Sequence, residues 1–254
     1  MSKLEIVKEI AEATFTIRTH TGRSDFFFWE RAKTMAANAY YICSLPEVAD
    51  SIGALDSFCL LSAAYFHDAG VVQYLKSKNC QLTQLLSLAN SDHLLDLCAE
   101  LVAKRLAGVI GRQKIDKVNH IIAESYYNKT QVPEAMVLCD ARNLVEMGAF
   151  GIFNEFRMHF IAGKGVDNAL KAWKSKLDYG YWKTRLKDNF HFESVGKLAE
   201  KRLKAADFFM KQLKTETKAL DIWKVIRKSN ILEPAATKDF SRKGVRKKAK
   251  SNKR

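Results

Sequence analysis

From Phe192 to about Leu220, the residues Val195, Leu198, Leu203, Ala206, Phe209, Met210 and Leu213 recur at helical spacing. That pattern predicts one long helix with a single apolar face. The same period runs through most of the chain and little interrupts it, since 254 residues include only 3 prolines and 12 glycines. A chain so poor in breakers folds as helices with short connections. No apolar–polar alternation of strand type stands out, and no internal repeat. The 47% hydrophobic content suffices for one sizeable core. The fold class expected is all-α, a bundle of about ten helices.

Local signals place these helices. Ser2-Lys3-Leu4-Glu5 fits a capping box opening the first. Ser24 or Asp25 caps a second, running to about Cys43, and Ser44-Leu45-Pro46 marks a turn and a new start. An apolar helix runs from about Leu55 to Phe66 and ends at His67-Asp68. Thr83 and Ser91 cap two more, and another spans Lys114 to Tyr127. Pro133 suits the first turn of a helix reaching Gly148, followed by helical stretches from Ala149 to Ile161 and from Asn168 to Leu177.

Composition narrows the function classes. No apolar run reaches the ~18 residues of a membrane span. The first 17 residues mix Lys3, Glu5, Lys8, Glu9 and Glu12 with apolar side chains, unlike a secretory signal. Five scattered cysteines without a C-x-x-C pair are expected as free thiols in a reducing cytoplasm. Of the formal charge of +14, the stretch from Lys238 to Arg254 carries +8, with nine basic residues and one acid. Such a segment cannot bury enough apolar surface to fold alone. Residues 234–254 are therefore expected to form a disordered basic tail behind a helical domain of residues 1–233. The tail suits salt-sensitive binding to the phosphate backbone of RNA or DNA, or serves as a solvated solubility tail. It lacks aromatic residues that would stack on bases, Phe240 apart.

Three residues suggest chemistry. Imidazole and carboxylate are good ligands for a divalent ion, and His67 and Asp68 stand side by side at a helix end. Asp140 lies between the apolar residues Leu138 and Leu144, where a carboxylate needs a hydrogen-bonding partner or a metal. In a helical bundle His67, Asp68 and Asp140 can converge on one ion.

These residues and their surroundings resemble the HD-domain metal-dependent phosphohydrolases, in particular the small bacterial HD hydrolases. The resemblance rests on Leu60 to Gly70, on Glu193 to Glu216, and on Asp140-Ala141-x-x-Leu144-x-x-x-Gly148-Ala149-x-Gly151-Ile152. With the second helix it spans roughly residues 20 to 217. It implies an HD-like helical bundle, a divalent metal (Mn, Fe, Co or Mg) on His67, Asp68 and Asp140, and Asp68 as the catalytic carboxylate. It also implies Arg31 or Arg142 at the phosphate of a nucleotide or other small phosphate ester.

The chain departs from the family pattern in one direction. Ser24 and Phe28 stand at the two histidine positions of the His-Asp-x-x-His-x-x-Arg helix, where Asp25 and Arg31 match. Arg142 replaces the second aspartate of the later block and Val145 its next acid. A phenyl ring offers no lone pair, and a cation beside a metal weakens binding by like-charge repulsion. Asp25 or His20 is the substitute ligand at hand. The expectation is a degenerate phosphohydrolase with weak or absent metal and reduced or absent hydrolysis. The alternatives are an active HD phosphohydrolase and a pseudoenzyme scaffold that binds RNA or DNA through its tail.

Overall fold

The computed structural model describes residues 1–18, 22–78 and 91–228. The predicted cap at Thr83, the basic tail and His20 lie outside the described residues. The chain divides into two compact units, Met1–Met210 and Lys211–Arg254.

The first unit is helical, as the periodicity predicts. Its elements are α1 (Lys3–Phe15), α2 (Phe27–Cys43), α3 (Pro46–Ile52), α4 (Ser57–Phe66), α5 (Ala69–Lys78), α6 (Ser91–Leu106) and α7 (Arg112–Glu124). There follow α8 (Pro133–Glu146), α9 (Ala149–Ile161), α10 (Val166–Asp178), α11 (Tyr181–Asp188) and most of α12 (Glu193–Thr217). The capping box of α1 is formed, with Glu5 N–H donating to Ser2 Oγ and Ser2 N–H to the Glu5 carboxylate. Helix α4 starts at the Asp56 carboxylate, which accepts from Cys59 N–H at 3.0 Å, and stops at Phe66.

The core gathers around α4, whose residues Cys59, Leu60, Ala63, Ala64 and Phe66 are all fully buried. Helices α1, α2, α7 and α8 pack on it. Each fully buried Leu or Phe there contributes about 1.5–3 kcal/mol. Helix α2 in turn packs on α8, which brings one end of α8 to the junction between α4 and α5. The start of α12 is held by two carboxylates. Asp140 accepts from the amides of His191 and Phe192, and Glu47 of α3 accepts from those of Glu193 and Ser194. These four N–H groups at the helix entrance thereby find partners from side chains instead of water.

Several features differ from the expectation. Ile17–Arg18 (β1) and Ser24–Asp25 (β2) pair antiparallel, a ladder of two residues each and too short to show alternation in sequence. Asp25 does not cap α2 as its first flanking residue. Phe26 holds that position, and Asp25 Oδ1 accepts from Phe27 N–H at 2.9 Å. Helix α11, unforeseen in the sequence, is a mostly polar helix of about two turns that follows Gly180 in the left-handed region (φ 68°). In the second unit the described residues are the last turns of α12 and α13 (Leu220–Lys228). The predicted long helix ends at Thr217, close to the expected Leu220, and Ala219, with φ 52°, stands just ahead of α13. Among the described residues no helix is long and apolar enough to cross a membrane.

Gly70 shows how close the packing is. A Cβ built there would lie 1.9 Å from the Leu94 carbonyl oxygen of α6, a backbone atom that cannot swing away. Gly70→Ala should therefore destabilise the protein by roughly 3 kcal/mol or more, measured as a lower denaturant midpoint. An unchanged midpoint would mean that α5 and α6 do not approach this closely.

Candidate functional site

The junction between α4 and α5 sets the site. His67 keeps helical dihedrals after the end of α4, and the Asp68 carbonyl accepts from Val72 N–H at 3.1 Å, so the pair bridges two helices without a loop. Phe66 is fully buried behind it, and its carbonyl accepts from Cys98 Sγ at 3.6 Å. This leaves His67 3% and Asp68 8% exposed.

Arg31 of α2 reaches the pair. Its Nε donates to Asp68 Oδ2 at 2.6 Å and its Nη2 to Glu146 Oε1 at 3.2 Å. The second oxygen of Glu146 pairs with Arg185 of α11. Arg185 Nη2 also donates to Asn143 Oδ1 at 2.7 Å. An ionised carboxylate only accepts, so His67 Nδ1 carries the proton and donates to Asp68 Oδ1 at 3.0 Å. The His67 ring stacks on Tyr126 with centroids 5.0 Å apart, and the Arg142 guanidinium lies 5.1 Å from the same Tyr126 ring.

The electrostatics follow from this arrangement. Burial alone would push the Asp68 carboxyl up, but Arg31 and His67 together hold it well below the usual carboxylate range. Glu146 behaves alike: burial raises it, and Arg31, Arg185 and Arg142 outweigh burial and bring it to about 2. Burial lowers His67 by more than its bond to Asp68 raises it, and Arg142 and Arg31 add to the lowering. His67 is thus neutral, with Nε2 buried and without a hydrogen-bond partner.

Of the residues singled out in the sequence, the structure brings His67, Asp68 and Arg31 together and lines one cleft with Arg31, Asp68 and Phe28. Asp140 is directed elsewhere. Fully buried, it accepts from His191 N–H at 2.9 Å and from Phe192 N–H at 3.1 Å, and its Oδ1 lies 3.1 Å from His191 Nδ1. Arg142 packs over Tyr126, with Nη2 3.9 Å from Cys139 Sγ, and its Nε is buried without a hydrogen-bond partner. Asp25, the substitute ligand, is paired with Arg157. Sequence reasoning missed Glu146, Arg185, Tyr126 and His191. Only Glu146 carried a signal, an acid four residues after Arg142 and so on the same helix face.

A divalent ion does not fit His67, Asp68 and Asp140 as arranged. His67 Nε2 offers a free lone pair, but both Asp68 oxygens are engaged by Arg31 and His67. Asp140 is engaged at α12, and the Arg31 and Arg142 guanidiniums stand nearby. A different group is close enough to share an ion. Ligand atoms of Cys139, Asp140 and His191 all lie within 4.8 Å of one another, the one such group among the described residues. Thiolate, carboxylate and imidazole form a zinc-type donor set. Burial lowers His191, but its contacts with Asp140 and Cys139 raise it to about 9. An ion would therefore have to displace the proton held between Asp140 and His191.

No family model matches this chain, and no curated protein matches it. Solved structures do. Bacillus subtilis YpgQ in complex with ADP is similar over 84% of this chain and 97% of its own, with TM-score 0.53 and 22% identity. YpgQ in a second structure gives TM-score 0.54 and 23% identity over 85% and 97% of the two chains. The Lin1889 protein of Listeria innocua gives TM-score 0.51 and 20% identity over 86% and 98%. The chain shares its helical fold with these proteins.

Proposed function

We propose that this chain is a degenerate HD-like phosphohydrolase that binds a nucleotide or a related phosphate ligand and hydrolyses it slowly or not at all. The carrying observation is the Arg31 guanidinium between Asp68 and Glu146, 2.6 and 3.2 Å from their oxygens. The carboxylate that would otherwise hold a cation is already neutralised by one fixed in the chain. A metal in such a site would supply an activated water. Here Phe28 provides no ligand, Asp140 is turned to α12, and His67 Nε2 is the one lone pair left open. The likeness in fold to YpgQ, crystallised with ADP, supports a nucleotide as the ligand class. So does an open cleft of about 260 Å³ beside Arg31 and Asp68.

Elemental analysis of the untagged protein should give well under one transition metal per chain. Loading with manganese, iron, cobalt or magnesium should release little phosphate from nucleotides, while calorimetry should detect saturable ADP binding. One bound metal per chain together with metal-dependent hydrolysis that His67→Ala abolishes would overturn the reading.

Arg31→Met should cost about 3 kcal/mol, because it leaves the buried Asp68 carboxylate without its cation, while half-buried Glu146 keeps Arg185. Glu146 supplies the sign of the pH dependence. Its carboxyl is about 2 against an ordinary 4.5, so its stabilisation is complete above pH 4.5 and is lost as pH falls through 2. Denaturation of the wild type across that range should show this loss, and Arg31→Met should show less of it. Identical pH profiles would argue against the ion bridge.

A further inference from the structure

Beside the cleft of about 260 Å³ lies a second of about 330 Å³. The two share Arg31, Glu146, Asn154 and Met158 as lining residues, so they form two compartments of one groove in the first unit. Their chemistry differs. The first is walled by Phe27, Phe28, Leu94 and Met158 and carries Asn154 and Arg157. Arg157 is fixed in place: it pairs with Asp25, and its guanidinium lies 4.3 Å from the Phe27 ring centroid. Its Nη1 is nonetheless buried with no hydrogen-bond partner. An unpaired buried N–H costs free energy until an acceptor reaches it. The charges lining this compartment balance, Arg31 and Arg157 against Asp68 and Glu146. It therefore favours a flat, uncharged ring with an acceptor on its edge.

The second compartment is basic. Arg31, Lys164, Lys176 and Arg185 line it against Glu146 and Glu155. Lys176 is paired with Glu155 at 2.8 Å and Arg185 with Glu146, while Lys164 is exposed in the turn just ahead of α10. The surplus of cations suits a phosphate chain.

We infer that this groove is a nucleoside-phosphate site, with the base beside Phe28 and Met158 and its edge at the Arg157 guanidinium, and the phosphates at Lys164 and Lys176. This rests on the nucleotide reading above and assigns its two ends. The base is recognised by apolar contact and one directed hydrogen bond. The phosphates are recognised by charge, and salt screens that contribution.

Calorimetry on the full chain separates the two ends, using ADP, GDP, adenosine and inorganic pyrophosphate as probes. Arg157→Met keeps the side-chain volume and removes the donor. It should weaken adenosine or the matching nucleotide about tenfold or more and leave pyrophosphate unchanged. Lys164→Ala, an exposed change that does not endanger folding, should weaken the diphosphates severalfold, leave adenosine unchanged and flatten the salt dependence. If wild type binds none of the four probes, the nucleotide reading itself fails. If wild type binds a nucleotide but both variants bind it equally well, the nucleotide reading stands and this assignment of the groove is wrong.

Discussion

One guanidinium holds the centre of this protein together. Arg31 of α2 bonds Asp68 at the α4–α5 junction and Glu146 at the end of α8, three elements brought together by packing that is otherwise apolar. The buried Asp68 carboxylate and the half-buried Glu146 carboxylate, both within reach of one guanidinium, would repel each other without it. With Arg31 between them and Arg185 beyond Glu146, the charges alternate along a row from Asp68 to α11. Every other feature of the site answers to that row. His67 turns Nδ1 to Asp68, Tyr126 stacks on His67, and Arg142 covers Tyr126.

The functional meaning lies in where the neutralising charge comes from. A mobile ion can bring bound water and exchangeable ligand positions. A guanidinium brings neither, although it fixes geometry through directed hydrogen bonds. A pocket built around Arg31 is therefore suited to recognition more than to activating water. Phe28, which cannot ligate, adds apolar wall to the same cleft. Arg142 and Val145 do not line that cleft: Arg142 lies over Tyr126 and Val145 is buried in α8.

Much of the fold was legible because it depends on local signals. The capping box at Ser2, the end of α4 at Phe66 and the bounds of α9 from Ala149 to Ile161 all follow from residues within a turn or two of each other. The likeness of segments to a known pattern also placed His67 beside Asp68 in a buried pocket. The direction of Asp140 was not legible. Asp140 and Glu146 are six residues apart on one helix, so they point to different sides, and neither spacing nor composition says which side meets α4. That choice is made by the start of α12, whose amides at His191 and Phe192 lie about fifty residues later and claim Asp140. The Arg31–Glu146 contact spans still more of the chain, and a single sequence carries no trace of such a pairing. The two-residue ladder near Ile17 and the short α11 are below the length at which periodicity speaks.

Gly151 carries a consequence beyond local conformation. A Cβ there would meet the Glu146 carbonyl oxygen at 2.0 Å, so its bare backbone lets α9 fold tightly back on the last turn of α8. Gly148, with φ 137°, makes the sharp corner between them and sits against Arg202 of α12. These two positions bear no charge, yet they decide where the carboxylate of Glu146 is delivered. The electrostatics of the pocket are in that sense inherited through empty space. A side chain added at this corner would shift Glu146 and with it the carboxylate that Arg31 and Arg185 share.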